Sequence, residues 1–278
     1  MSRRSRKSRV FFEEIGPLMD DERDPLGRGL FLGRHTAAQL EARLEETGLL
    51  DLARARGYGG LAVTATRQDD LSRLYLSARE PAARLIELVL REALFRPRQC
   101  FVEGFDFDDG LSVLEVQWLC LQDPQASFSP ERPRLPGQVC PGLGGLRRMH
   151  ELLLGLAQGR DAVLNVPERY HTALIYAQEY HFFAPRAAGQ LLALERDLSR
   201  WPLAEVSAAI EAGCLIDRDS RQPVAWQPGE QLAPVSARLR AYFASPGYGA
   251  AVRQAAQALH YTVDWGQYER ITHGSGSE

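Results

Sequence analysis

The run "LSVLEVQWLCLQ" at residues 111–122 constrains the fold more than any other stretch of the chain. Nearly every other residue is large and apolar, and apolar residues fall on both faces of an extended chain. A strand of that composition has no solvent face, so it belongs in the middle of a sheet covered on both sides. The segments after it set the topology. A proline-rich loop, "DPQASFSPERPRLPG" (123–137), leads into "PGQVCPGLGG" (136–145), which holds four glycines and two prolines. "LRRMHELLLGLAQ" then carries Leu146, Met149, Leu152, Leu153 and Leu156 at helical spacing. "AVLNVP" reads as a short buried strand. "ERYHTALIYAQEYHFF" reads as a helix opened by Pro167 and closed before Pro185. A strand, a helix and a strand in that order require a parallel pair with a right-handed crossover.

The flanking sequence supplies further elements. "RGLFLG" reads as a short first strand. Thr36 is an N-cap for a helix over "TAAQLEARLEETGLLDLARARG", broken near Gly48 and stopped by Gly57. "GLAVTATRQDDLSRLYLSA" alternates on both sides of "RQDD", the pattern of a β-hairpin. "EPAARLIELVLREALF" reads as a helix with Pro81 in its first turn. Beyond residue 186 the reading is two helices split near Pro202, a hairpin over "CLIDRDSRQPVAWQPG", and helices over "VSARLRAYF" and "GAAVRQAAQALHYTV". The expected organisation is a basic tail (1–10), an α/β domain with a mixed central sheet flanked by helices (11–186), a mainly helical C-terminal region packed on it (187–272) and a flexible end (273–278).

Composition narrows the function class. A chain of 278 residues with 45% hydrophobic and 25% charged residues is that of an ordinary soluble globular protein. The formal charge of −3 gives no general attraction to nucleic acid. No stretch approaches the about 18 apolar residues of a membrane span. "MSRRSRKSR" is basic but lacks a following apolar segment, so it does not read as a signal peptide. Cys100, Cys120, Cys140 and Cys214 are too far apart for a zinc motif. Reduced thiols, a cytoplasmic location and no metal are the expectation.

The glycine loop is the candidate for chemistry. It has no lysine for a Walker A motif, and it lies too far from its strand for a dinucleotide fingerprint. A strand, a loop with Gln138 followed by Gly142-Leu143-Gly144, a helix, a strand and a helix resemble the acetyl-CoA-binding half of the GNAT acyltransferase superfamily. The resemblance covers residues 111–183 well and 30–80 loosely. It leaves a long loop before the glycines and a helix at 81–95 as insertions.

The resemblance implies a GNAT-like sheet and an acyl-CoA donor. The donor's pyrophosphate would lie on the backbone amides of Gln138, Gly142, Leu143, Gly144 and Gly145 at a helix N-terminus, where unpaired N–H groups favour an anion. Arg147 and Arg148 would add charge, and Asn165 would touch the pantetheine arm or cap the next helix. The implied reaction is N-acylation of a small-molecule or peptide amine. Glu115, a carboxylate inside the apolar strand, is the candidate general base, or a structural acid on the strand's polar face. Tyr176 and Tyr180, one helical turn apart, are candidates for protonating the departing thiolate. His171 and His181 form no zinc-binding pair. The alternative implied function is a GNAT-like binding or regulatory module without catalysis.

Overall fold

A computed structural model describes residues 30–274. Two short helices come first, α1 (Ala37–Glu46) and α2 (Leu49–Ala55). Thr36 opens α1 with a capping box in which it accepts from the Gln39 N–H and the Gln39 side chain accepts from the Thr36 N–H. The break falls at Gly48, whose φ of 71° lies where glycine is favoured. Four antiparallel strands follow: β1 (Ala62–Gln68), β2 (Leu71–Arg79), β3 (Ala82–Phe95) and β4 (Leu111–Leu121). Then come α3 (Leu146–Leu156), β5 (Ala162–Asn165), α4 (Tyr170–Tyr176), β6 (His181–Phe182), α5 (Pro185–Leu198) and α6 (Leu203–Glu211). The chain closes with β7 (Leu215–Asp217), β8 (Gln231–Pro234), α7 (Ala237–Ala244), α8 (Pro246–Gln257), β9 (Tyr261–Val263) and α9 (Trp265–Gly274).

Among the described residues, seven strands form one mixed sheet in the order β1-β2-β3-β4-β5-β8-β6, and β7 pairs with β9 in a separate ribbon. Only β4 and β5 run parallel among the described strand pairs. β4 is central, as its apolar character requires. Leu114 and Val163 pack into the core beneath α1, α2 and α3, while Val113, Ala162 and Leu164 enter a second core built with Phe183, Leu239 and Tyr242. Alternating side chains on a strand point to opposite faces, so both faces of β5 and of the first half of β4 are buried. A third core joins α4, α5 and α6 to the β7–β9 ribbon around Tyr170, Leu194, Ile210 and Tyr261.

Several sequence expectations are corrected. The helix expected at 81–95 is instead the long strand β3 (Ala82–Phe95), hydrogen-bonded to β2 on one side and β4 on the other. Its Ala, Leu, Glu and Arg content favours helix, and pairing on both edges overrides that preference. The alternation Ile86, Leu88, Leu90 against Glu87, Val89, Arg91 was the available signal. Residues 28–29 of the first expected strand lie outside the described residues, and the rest enters a tight turn in which Phe31 and His35 exchange backbone hydrogen bonds at 2.9 Å. The helix expected over 168–183 stops at Tyr176, and His181–Phe182 become the edge strand β6. Residues 261–263, read as helix, are β9. The expected C-terminal hairpin closes only as a short loop, with Asp217 N–H donating to Gln222 O and Val224 N–H to Leu215 O. The C-terminal region, expected to add to the sheet through its hairpin and to cover it with helices, adds instead β8, just past that hairpin, which lies inside the main sheet between β5 and β6. The basic tail at 1–10 lies outside the described residues, as do residues 275–278 of the expected flexible end.

Candidate functional site

The site is built where the parallel pair parts. β4 and β5 pair only through Val113–Ala162, Leu114–Val163 and Glu115–Leu164. β5 ends at Asn165, while β4 runs on to Leu121. Past that point the returning loop borders β4. Asp123 N–H donates to Pro141 O at 2.8 Å, and Leu143 N–H donates to Leu121 O at 3.2 Å. These two bonds bring the glycines to the first turn of α3. Buried Asp123 fixes the junction, accepting from the Tyr58 hydroxyl at 2.7 Å and lying 3.6 Å from Arg56 Nη1.

The three glycines differ in what the fold asks of them. Gly144 has φ 87°, where a side chain is strained. A Cβ on Gly145 would come within 2.9 Å of Leu49 and Leu52. A Cβ on Gly142 would meet only the Leu121 carbonyl oxygen, at 3.5 Å, an ordinary contact. Folding therefore accounts for glycine at 144 and 145 and does not account for it at 142.

The start of α3 is uncapped. Gly145 is its N-cap and supplies no side chain. The N–H groups of Gly144, Gly145, Leu146, Arg147 and Arg148 make no hydrogen bond with the described residues. Two of the expected amides are committed elsewhere: Leu143 N–H to the β4 edge, and Gln138 N–H to Leu135 O at 3.1 Å. The Gln138 side chain accepts from Leu135 N–H, so Gln138 closes its own turn. Leu143 is fully buried and anchors the loop in the core.

Arginines surround this N-terminus. Arg147 is exposed, with Glu151 at 3.5 Å. Arg148 donates to the Gly48 carbonyl. Sequence reasoning missed two more. Arg132, from the proline-rich loop, donates to Gly142 O at 2.7 Å. Arg56, at the end of α2, lies beside Gly144, its Nη2 3.5 Å from where a Cβ would stand. The linear sequence carries no sign of Arg56, because only the packing of α2 against the loop brings it there.

Glu115 forms an ion pair. Arg91 on β3 donates to its Oε2 through Nε and Nη2, at 3.1 and 2.6 Å. The pairing follows from register, since the two residues are direct cross-strand partners.

Tyr176 and Tyr180 do not share a helix face, because α4 ends at Tyr176, yet their rings meet at 5.6 Å. Burial, with Cys120 adding to it, pushes the Tyr176 phenol up to about 12. Burial raises the Tyr180 phenol as well. His150 on α3 lies against Tyr180 at 5.2 Å between ring centres. Its Nε2 is 3.6 Å from Glu179, and its buried Nδ1 has no partner among the described residues. Burial lowers its pKa, against the opposing pull of Glu179. Asn165, at the end of β5, is buried, and its Oδ1 has no partner among the described residues. The same holds for Oε1 of its cross-strand neighbour Gln231.

His171 is buried in α4, and the His181 ring lies tilted against Phe243, 4.8 Å between centres. The described residues hold no cluster of three or more His, Cys, Asp or Glu suited to a metal ion, and no helix long and apolar enough to cross a membrane. The structure thus brings the glycine loop, the α3 amides and four arginines together at the end of β4, a strand that β5 leaves after Leu164. Compared with protein-family models, curated proteins and solved structures, the chain matches none.

Proposed function

We propose that the protein is an acyl-CoA-dependent N-acyltransferase of the GNAT kind. Its donor would be acetyl-CoA or a longer acyl-CoA, and its acceptor a small-molecule or peptide amine. The observation that carries this reading is the run of unpaired amides from Gly144 to Arg148 at the start of α3, ringed by Arg56, Arg132, Arg147 and Arg148. Unpaired N–H groups at a helix N-terminus favour an anion, and planar guanidinium groups suit phosphate oxygens. Gly142 supports it too, since a glycine that folding does not require leaves room for a close-lying ligand. The strand at 82–95 removes the inserted helix that set the chain apart from the family, and the parallel β4–β5 pair parting beside the loop agrees with it.

An acyl-CoA would supply an activated thioester; the protein's own groups then bind and orient it. The pyrophosphate is held by the amides of Gly144 to Arg148, with charge from the four arginines. Asn165 Oδ1, a buried acceptor without a partner, receives an N–H from the ligand's amide-rich arm. A phenol at about 12 stays protonated throughout the physiological range. Tyr176 therefore stabilises the departing sulfur as a hydrogen-bond donor.

A specific observation favours the second reading, a binding module without transfer. Glu115, the one carboxylate in the central strand, is engaged by Arg91. Thermal shift with acetyl-CoA, longer acyl-CoAs, NAD and ATP tests the first step. A ligand at 100 times its dissociation constant adds about 2.7 kcal/mol of stability. Stabilisation by NAD or ATP but by no acyl-CoA refutes both readings. Stabilisation by acyl-CoA without release of free thiol across a panel of amines selects the binding module.

A further inference from the structure

A cavity of about 350 Å³ opens between the end of α5 and the β7–β9 ribbon, in a part of the molecule that the acyl-CoA reading does not use. Three arginines line it: Arg196 near the end of α5, Arg200 just past that end, and Arg218, next after β7. The wall also holds one carboxylate, Asp197, and it is already spent. Its two oxygens accept from Arg196 Nε and Nη2 at 2.7 and 2.9 Å, and Oδ2 accepts from Tyr261 N–H at 2.7 Å. Arg196 also donates to the carbonyls of Ala256 and Leu259 at 2.9 and 2.6 Å. Arg196 and Asp197 thus neutralise each other and form a fixed part of the wall.

Arg200 and Arg218 have no such partner. Neither has a carboxylate within ion-pair distance among the described residues; Arg200 lies over the Trp201 ring, 5.4 Å from its centre. The nearest acids along the chain are otherwise engaged. Asp217 Oδ1 accepts from Ser220 N–H at 2.8 Å and from Asp219 N–H at 3.0 Å. Asp219 Oδ2 meets His260 Nδ1 at 3.1 Å. Ser199 and Thr262 add hydroxyl groups that make no side-chain hydrogen bond with the described residues. The carbonyl end of α5 carries about half a negative charge, which two unpaired guanidinium groups outweigh.

We propose that this cavity is a binding site for a small polyvalent oxyanion, a phosphate or polycarboxylate group, held by Arg200 and Arg218 with the hydroxyls of Ser199 and Thr262. Guanidinium forks bind such groups through paired charge-assisted hydrogen bonds. The volume suits a ligand of phosphorylated-metabolite size.

Calorimetry of the full chain at low salt, with inorganic phosphate, pyrophosphate and citrate as separate probes, tests the site. At least one probe should bind, and R200Q/R218Q should weaken it tenfold or more. The pair Ser199→Ala and Thr262→Val, with both arginines intact, should weaken it several-fold. Gly142→Val should leave this binding unchanged, which separates it from any phosphate bound at α3. Phosphate or pyrophosphate binding without citrate assigns a phosphate ligand, and citrate alone assigns a polycarboxylate. The inference is overturned if no probe binds at 1 mM, or if R200Q/R218Q binds within twofold of the parent while keeping its melting temperature. It is overturned equally if Gly142→Val abolishes the binding.

Discussion

Gly142→Val should separate folding from ligand binding, because the fold itself makes so little use of that glycine. A Cβ there would rest 3.5 Å from the Leu121 carbonyl oxygen, with no other atom within 4 Å. Gly142 is also absent from the positions with positive φ. An alanine is accommodated without a shift, and its effect on stability should stay within about 0.5 kcal/mol. For a chain of this size that is a melting shift below about 2 °C. Valine adds two methyl groups on the side that an acyl-CoA pyrophosphate would approach, and affinity should fall tenfold or more. With acetyl-CoA at 100 times the parent's dissociation constant, the parent gains about 2.7 kcal/mol, and a variant bound tenfold more weakly gains about 1.4 kcal/mol. Differential scanning fluorimetry with and without acetyl-CoA reads both quantities, and calorimetry checks the affinity. Two results refute the reasoning. If Gly142→Val binds as tightly as the parent, no ligand approaches there. If Gly142→Ala melts several degrees lower without ligand, the glycine was serving the fold.

Packing and pairing elsewhere in the molecule set further expectations. A Cβ on Gly189 would stand 2.5 Å from Ala255 Cβ and 2.8 Å from the Ala256 backbone nitrogen, where α5 crosses α8. Gly189→Ala should therefore cost about 1–3 kcal/mol despite alanine's better helix propensity, and urea unfolding measures it. Tyr176→Phe should lower kcat for acyl transfer by tenfold or more with little change in acyl-CoA affinity, since a donor to the departing sulfur acts mainly in the transition state; equal loss in both would remove it from that role. The Arg91–Glu115 pair should show a coupling of about 0.2–1 kcal/mol in a double-mutant cycle, reduced by salt, and a zero coupling would contradict the pairing. Burial, aided by Arg169, lowers the His171 pKa to about 4. Below its ordinary pKa of about 6.5 the unfolded chain takes up a proton that the folded chain refuses, so stability falls as pH drops from about 6.5 toward 4. His171→Phe should flatten that limb of the stability curve, and an unchanged slope would contradict the assignment.

Local sequence determined the elements whose signals are local. Apolar residues on both faces marked β4 as central. Thr36 with Gln39, Gly48, and the alternation around "RQDD" fixed α1, α2 and the β1–β2 turn, because caps, glycine backbones and strand alternation act over a few residues. The uncapped start of α3 after three glycines was legible for the same reason. Tertiary structure decided what depends on partners far along the chain. Residues 82–95 contain good helix formers, yet two neighbouring strands claim both of their edges. Gln231–Pro234 joined the main sheet by pairing with β5 on one side and β6 on the other. Glu115 became an ion-paired acid because β3, which the linear pattern disguised, put Arg91 opposite it. Arg56 reached the glycine loop through the packing of α2. Apart from the alternation at Ile86, Leu88 and Leu90 in β3, no local pattern carries these outcomes: pairing register and packing set them, and both rest on contacts between segments tens of residues apart.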